Sequence, residues 1–304
     1  MTMRSCSGHA VRSALVALLV VSVGVFVPSA PVSAAPTPLG LGAATDFVIR
    51  AGDGISNVPV SAITGDVGLS PGPGTAYTGL TCAEVTGDVY AVDVTGPAPC
   101  SIGDAGLMTT VEDDARTAFN HASALPGATP LAPDLADLVL VAGLYSFGAA
   151  ATNLSGTLTL DAQGDPDAVW IFQASSSLIT SDGTTVQFSN LPPGTTAGEL
   201  ACNVYWTVGS SATLASGSSF VGTVLASADI GVFTGATVTG RLLAANAAGA
   251  GGAVTLQQNT IIVPTGCAAQ PAGTGGGPAP AGPPAGPPAA PPANPVVSPP
   301  TLTG

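Results

Sequence analysis

The chain has 304 residues, 46% hydrophobic and only 8% charged, with 18 acids against 5 basic residues and a net charge of −13. A nucleic-acid binder needs a basic stripe to displace counterions from phosphate, so that class is excluded, and the same sign of charge disfavours anionic lipid and phosphorylated substrates. The hydrophobic fraction equally excludes an acidic disordered chain, and what replaces charge is Ser, Thr, Ala, Asn and Gly.

The first predicted element is a leader. Arg4 and Arg12 precede an apolar run over residues 14–27, and Val32-Ser33-Ala34 places small residues ahead of a signal-peptidase cut. Residues 1–34 are therefore expected to be a cleaved secretory signal peptide, and the mature protein to be extracellular or associated with the cell wall. Cys6 lies ahead of the apolar run and is no lipobox cysteine. No second stretch of about 20 apolar residues follows, so no membrane span is expected in the mature chain.

Cys82, Cys100, Cys202 and Cys267 then remain in an oxidising compartment, which suggests two disulfides. Three pairings are open. The favoured one joins Cys82 to Cys100, closing a local loop, and Cys202 to Cys267, tying back the C-terminal strand. Zinc would compete for these residues, but there is no CxxC and the only histidine after the leader is His121. No metal and no cofactor is expected.

Leu107, Val111, Ala115, Ala118, Phe119, Ala122 and Leu125 recur at helical spacing, with Glu112, Asp113, Asp114 and Arg116 turned away. Pro126-Gly127 stops the element, giving a helix over about 106–125. Beyond about residue 150 the pattern becomes a repeat. Ala168-Val169-Trp170 lies over Val204-Tyr205-Trp206, an offset of 36. Val224 and Leu242 follow Trp206 at steps of eighteen, and Phe220, Val238 and Leu256 form a second such series. Apolar residues returning to the same pleat every eighteen residues suggest a solenoid coil of three short strands.

With these positions inward, their neighbours point outward. On the Trp206 line the outward residues are Val169, Ile171, Tyr205, Thr207, Leu225 and Leu243, an apolar face that the helix is expected to cover. On the Phe220 line they are Thr185 and Gln187, Ser219 and Val221, Thr237 and Thr239, and Thr255 and Gln257; Thr157 and Thr159 extend the face onto an earlier coil. The turns ahead repeat as Asp182-Gly183-Thr184-Thr185, Ser216-Gly217-Ser218-Ser219 and Thr234-Gly235-Ala236-Thr237. One Thr-rich strand reflects only β-propensity. Hydroxyls aligned across successive coils read as a flat, uncharged binding surface.

Catalytic signals are weak. Asp161, Asp165 and Asp167 resemble a calcium loop without its glutamate, and a turn in which Asp side chains bind backbone amides fits them better. No GxSxG accompanies His121, and no carboxylate pair stands out on the strand faces. An enzyme is not expected. Residues 268–304 are rich in proline and carry no charge, which favours an extended polyproline spacer to the cell wall or a disordered end.

Six segments together carry a family resemblance: Ala44-Thr45-Asp46-Phe47-Val48-Ile49, Ile63-Thr64-Gly65-Asp66-Val67-Gly68, Gly143-Leu144-Tyr145-Ser146-Phe147, Leu158-Thr159-Leu160-Asp161-Ala162-Gln163-Gly164-Asp165-Pro166, Val208-Gly209-Ser210-Ser211-Ala212-Thr213-Leu214 and Gly235-Ala236-Thr237-Val238-Thr239-Gly240-Arg241. In this order, from about 40 to 265, the chain resembles the ice-binding protein family. The resemblance implies a mainly β fold, a discontinuous right-handed β-helix of triangular section with one long α-helix alongside. It also implies that one flat face binds ice, marked in some members by a T-A/G-x-T/N motif. Thr234-Gly235-Ala236-Thr237 and Thr78-Gly79-Leu80-Thr81 match that motif, while Ser216-Gly217-Ser218-Ser219 and Asp182-Gly183-Thr184-Thr185 depart from it. Residues 82–104 fall where the family places a variable cap.

The expected domain is thus 35–267, and the expected partner an ice crystal surface. The expected site comprises Thr157, Thr159, Thr184, Thr185, Gln187, Ser216, Ser219, Val221, Thr234, Thr237, Thr239 and Thr255. The competing reading is a cell-surface adhesin or wall-associated module that presents the same face to polysaccharide.

Overall fold

The computed structural model describes residues 36–148, 150–246 and 251–267; the expected leader and the Pro-rich segment lie outside them. The described residues are mainly β, with few helices, and every strand pairing among them is parallel. Three ladders organise the strands. The first runs from Ser101–Gly103 through Val89–Ala91, Asp66–Leu69 and Phe47–Ala51 to Thr237–Leu243, Ser219–Ala226, Val204–Val208, Trp170–Ala174, Gly143–Phe147 and Thr129–Leu131. The second contains Val139–Val141, Thr157–Asp161, Thr185–Ser189, the opening residues of Ser219–Ala226 and Thr237–Leu243, then Thr260–Ile262, Ala62–Thr64 and Val85–Thr86. The third contains Thr152–Leu154, Leu178–Thr180, Ala212–Leu214, Ile230–Val232, Ala253–Gln257, Gly54–Val58 and Tyr77–Thr78.

Ser219–Ala226 and Thr237–Leu243 each serve two ladders, and Gly222 and Gly240 make this possible. Gly222 has φ of 113°, a region that L side chains rarely adopt, and a Cβ on Gly240 would run into the Gly222 carbonyl. Without side chains the two strands stack closely while each bends from one ladder into the next.

The ladders are not laid down in sequence order. Phe47–Ala51, Gly54–Val58 and Ala62–Thr64 pair with Thr237–Leu243, Ala253–Gln257 and Thr260–Ile262, in the registers Ile49↔Leu242, Ile55↔Val254 and Ile63↔Ile261. The N-terminal strands therefore stack on the C-terminal ones. The Ala105–Ala124 helix lies in sequence between that block and Thr129–Leu131, the far edge strand of the first ladder.

Inward residues of all three ladders form one core, including Trp170, Phe172, Trp206, Phe220, Val224, Val238, Leu242 and Ile261. Tyr145, Phe172 and Trp206 stack along the first ladder, with ring centroids 5.6 Å and 4.0 Å apart, and Phe220 packs tilted against Trp206 at 5.2 Å. Each such pair adds about 0.5–1.5 kcal/mol beyond the area it buries. The eighteen-residue steps from Trp206 to Val224 and Leu242 are real registers. The offset of 36 is not: Trp170 pairs with Val204 and Phe172 with Trp206, a slip of two residues. A slip of two preserves the pleat, so the inward and outward assignments survive it.

The helix covers the outward side of the first ladder. Met108, Val111, Ala115, Ala118 and Ala122 are buried against Val169, Ile171, Tyr205, Leu225 and Leu243, with Leu39, Leu41 and Phe47 completing the layer. Asp104 caps the helix, its carboxylate accepting the Leu107 amide at 2.9 Å. Three alanines on the buried face let the helix approach closely. Glu112 corrects the expectation that it faces solvent. Its carboxylate lies 3.3 Å from the fully buried Arg50 and accepts Ser70 Oγ at 3.1 Å. Arg50 also donates to Ala244 O at 2.7 Å and Ser70 O at 3.1 Å, so one guanidinium joins the helix to both terminal blocks. Both favoured disulfides are formed, Cys82–Cys100 and Cys202–Cys267, with Cα–Cα distances of 5.7 and 5.4 Å.

Candidate functional site

The second ladder presents two outward columns. The first is Thr157, Thr185, Ser219, Thr237, Thr260 and Ala62, each paired in register with the next. The second runs Thr159 to Gln187, then Val221, Thr239, Ile262, Thr64 and Thr86. Between Gln187 and Val221 the ladder is interrupted, and the Val221 carbonyl accepts Trp206 Nε1 at 3.0 Å instead. Alternation places Leu158, Val186, Phe220, Val238, Ile261 and Ile63 beneath these columns in the core. Strands stack about 4.8 Å apart and alternate residues along one strand lie about 6.7 Å apart, so the columns form a regularly spaced grid.

The corner leading into the face is built alike on successive levels. Gly183, Gly217 and Gly235 take φ of 69°, 65° and 71°, and Gln258 holds the equivalent place at 54°. Amides pass the corner from level to level: Gly183 N to Ser216 O at 2.9 Å, Gly217 N to Thr234 O at 3.0 Å, Gly235 N to Gln257 O at 3.1 Å. The next residue then turns inward and binds backbone. Thr184 Oγ1 donates to Leu154 O at 2.8 Å, Ser218 Oγ to Ala215 O at 2.7 Å, and Asn259 Nδ2 to Phe233 O at 2.7 Å. These bonds fix the level at which each outward hydroxyl stands.

Neither column contains an ionisable side chain. At the edge, the Asp161 carboxylate is occupied by Asn190 Nδ2 at 2.8 Å and the Gln163 amide at 2.9 Å. Asp165 likewise accepts the Asp167 amide at 2.9 Å, so the acidic triplet is a turn. The two columns thus present hydroxyls, methyls and the Gln187 amide, which donates to Thr159 Oγ1 at 3.2 Å, with the hydrogen-bonded Asp161 carboxylate at their edge. The profile of the family described as ice-binding-like matches residues 49–262.

The chain belongs to the ice-binding-like family. An ice-binding protein from Colwellia sp. is 39% identical over 236 residues, covering 77% of this chain and 87% of that protein. One from Flavobacterium frigoris is 36% identical over 234 residues, covering 74% and 76%. The crystal structure of an ice-binding protein from an Antarctic biological consortium superposes with a TM-score of 0.65 at 33% identity, over 77% of this chain and 95% of that one. This family is one of binding proteins, and the chain is not an enzyme.

Within this family member the sequence-expected residues fall into three groups. Thr157, Thr159, Thr185, Gln187, Ser219, Val221, Thr237 and Thr239 stand together on the second ladder. Ser216 and Thr234 stand at the corner, where Thr234 Oγ1 donates to Gln257 Oε1 at 3.1 Å. Thr184 and Thr255 are corrections. Thr184 is only 2% exposed, because the residue after a left-handed corner glycine turns into the core. Thr255 belongs to the third ladder, paired with Gly231 and Ser56, and accepts Ser56 Oγ at 3.2 Å.

The cause of the second error is local. The chain from Leu243 to Ala253 is longer than one corner, so the eighteen-residue step fails there. Leu256 pairs with Val232, and Ile261 takes the place beside Val238. Sequence reasoning accordingly missed Thr260, Ile262, Ala62, Thr64 and Thr86. Their signal was the alternation in Thr260-Ile261-Ile262 and Ala62-Ile63-Thr64, readable only once their neighbours were known. Thr78-Gly79-Leu80-Thr81 does not build this face either: Thr78 is on the third ladder, and Thr81 donates its amide and hydroxyl to Glu84 at 2.9 Å.

Proposed function

We propose that this protein is exported, loses residues 1–34, and binds ice through the two outward columns of the second ladder, thereby inhibiting ice growth or recrystallisation. The observation that carries this reading is the in-register, uncharged column Ser219, Thr237 and Thr260 beside Val221, Thr239 and Ile262 in a member of the ice-binding-like family. Charged groups hold their own hydration shells, whereas spaced hydroxyls and methyls order water in a lattice-like layer. Many weak contacts on a rigid grid add up to adsorption that does not reverse on the time scale of crystal growth. The three ladders fit a right-handed, discontinuous β-solenoid of triangular section, and its stiffness keeps the grid flat. The Pro-rich composition of residues 268–304 supports a link from the domain to the cell wall.

Ice-affinity partitioning and thermal hysteresis of the mature chain test this. Wild type is expected to enter the ice fraction. Thr237→Tyr and Thr239→Tyr should stay in the liquid with unchanged far-UV circular dichroism. Ordinary ice growth in the presence of folded wild-type protein would refute the reading.

A further inference from the structure

Two arginines are almost completely buried, and their surroundings treat them differently. Arg50 has Glu112 beside it and three backbone carbonyls as acceptors. Arg241 is only 2% exposed, and among the described residues the oxygen acceptor its guanidinium reaches is Thr45 O, which accepts Nε at 2.8 Å. The contact recorded for Nη2 is Cys267 Sγ at 3.6 Å, a weak acceptor locked in a disulfide. Among the described residues no carboxylate forms an ion pair with it, and Asp46, next to Thr45, is exposed to solvent. A buried cation is costly unless paired or fully hydrogen-bonded. Burial pulls the Arg241 pKa down to about 10, which still leaves it charged at neutral pH.

The guanidinium borders a cavity of about 50 Å³, lined also by Leu39, Leu41, Thr45, Asn203 and Tyr205. That is room for a ligand of one or a few atoms. The guanidinium N–H groups and the Asn203 side chain at the cavity both favour a small acceptor, and a buried cation that burial penalises more than the exposed Asp46 offsets favours a negative one. A water molecule would satisfy the hydrogen bonds but leave the charge.

We infer that the cavity beside Arg241 binds a small inorganic monoanion of the size of chloride. Bound there, the ion joins the segment 38–45 to the strand carrying Arg241, beneath the Cys202–Cys267 bridge. Ligand binding to the folded state alone raises its stability by mass action.

The experiment compares thermal unfolding of the mature protein in sodium chloride and in sodium gluconate at equal ionic strength. Chloride is expected to raise Tm by roughly 2–4 °C in a saturable manner. Asn203→Asp, which supplies a tethered carboxylate, should abolish the chloride dependence while keeping Tm at or above the wild-type value in gluconate. Arg241→Gln should abolish it too, and if that variant does not fold, Asn203→Asp decides the matter. Crystals soaked in sodium bromide should show an anomalous peak beside the Arg241 guanidinium. Equal Tm in the two salts, a chloride response retained in Asn203→Asp, or no anomalous peak at this position would each overturn the proposal.

Discussion

The Asn259 amide donates to Ser61 Oγ across 3.0 Å, although 198 residues separate the two in sequence. Ser61 Oγ in turn donates to Asn57 Oδ1 at 2.7 Å, and Asn57 Nδ2 donates to Glu84 Oε1 at 2.8 Å. On the other side Asn259 Nδ2 reaches the carbonyls of Phe233 and Ala236. This buried chain of hydrogen bonds crosses the seam where the N-terminal strands stack on the C-terminal ones, under the corner of the hydroxyl-bearing face. No covalent link holds the seam at that point, so side-chain hydrogen bonds and ladder pairing must.

Ser61→Ala removes the central acceptor and donor of that chain and leaves the Asn259 amide and Asn57 Oδ1 without partners in a buried site. The expected cost is about 1–3 kcal/mol, read as a lower urea midpoint at unchanged m-value. Ice activity well below the melting temperature should persist, because Ser61 is not on the outward columns. An unchanged midpoint would mean that the seam is held without it.

Glu84 makes the seam sensitive to acid. Burial opposes its ionisation, but hydrogen bonds from the Ser61 amide, the Thr81 hydroxyl and amide and Asn57 outweigh that effect and hold its pKa below the ordinary glutamate value. A depressed folded pKa contributes stability that is present above the unfolded pKa and lost as pH falls through the folded one. Stability should therefore decline with acidification below the ordinary glutamate range, and Glu84→Gln should flatten that slope while lowering stability at neutral pH. Ice binding itself should be flat with pH wherever the protein remains folded, since the columns carry nothing that titrates. A pH-dependent hysteresis in folded protein would contradict this.

Thr260 and Thr255 separate the face read from periodicity from the face seen in three dimensions. Thr260→Tyr places a bulky ring in the first outward column between Thr237 and Ala62 and should remove most of the thermal hysteresis. Thr255→Tyr lies on the third ladder and should leave it unchanged. Equal losses from both would show that the third ladder also touches ice.

The two disulfides should differ in worth. Cys202–Cys267 spans 65 residues and Cys82–Cys100 spans 18. Closing the longer loop removes more disorder from the unfolded chain, so loop-closure entropy predicts about 4 kcal/mol for the first and about 3 kcal/mol for the second. Paired Cys→Ser variants in thermal melts give the comparison, and a larger loss on removing Cys82–Cys100 would reverse it.

Much of this protein was legible from local pattern. Alternation put Trp206, Val224, Phe220 and Val238 inside and Ser219, Thr237 and Thr239 outside, because the two faces of a strand are set by its own residues. The helix was legible for the same reason, through Val111, Ala115, Ala118 and Ala122 recurring at its period. Thr184 was misread because it was grouped with the exposed corner at Gly183, although alternation carried back from outward Thr185 already turns it inward. Glu112 was misread because its partner, Arg50, is remote in sequence.

What the sequence by itself determined was the inward or outward sense of each strand residue, the chemical blandness of one face, and the four cysteines available for bridging. Tertiary structure alone decided which strands are neighbours. The slip of Trp170 onto Val204, the transfer of Thr255 to another ladder, and the stacking of Ala62–Thr64 on Thr260–Ile262 all depend on how long each connection is and where it returns. Alternation is a property of the backbone pleat and repeats every two residues. Register between strands far apart in sequence is settled by packing in the shared core, and only that packing brings Thr237, Thr260 and Ala62 into one line.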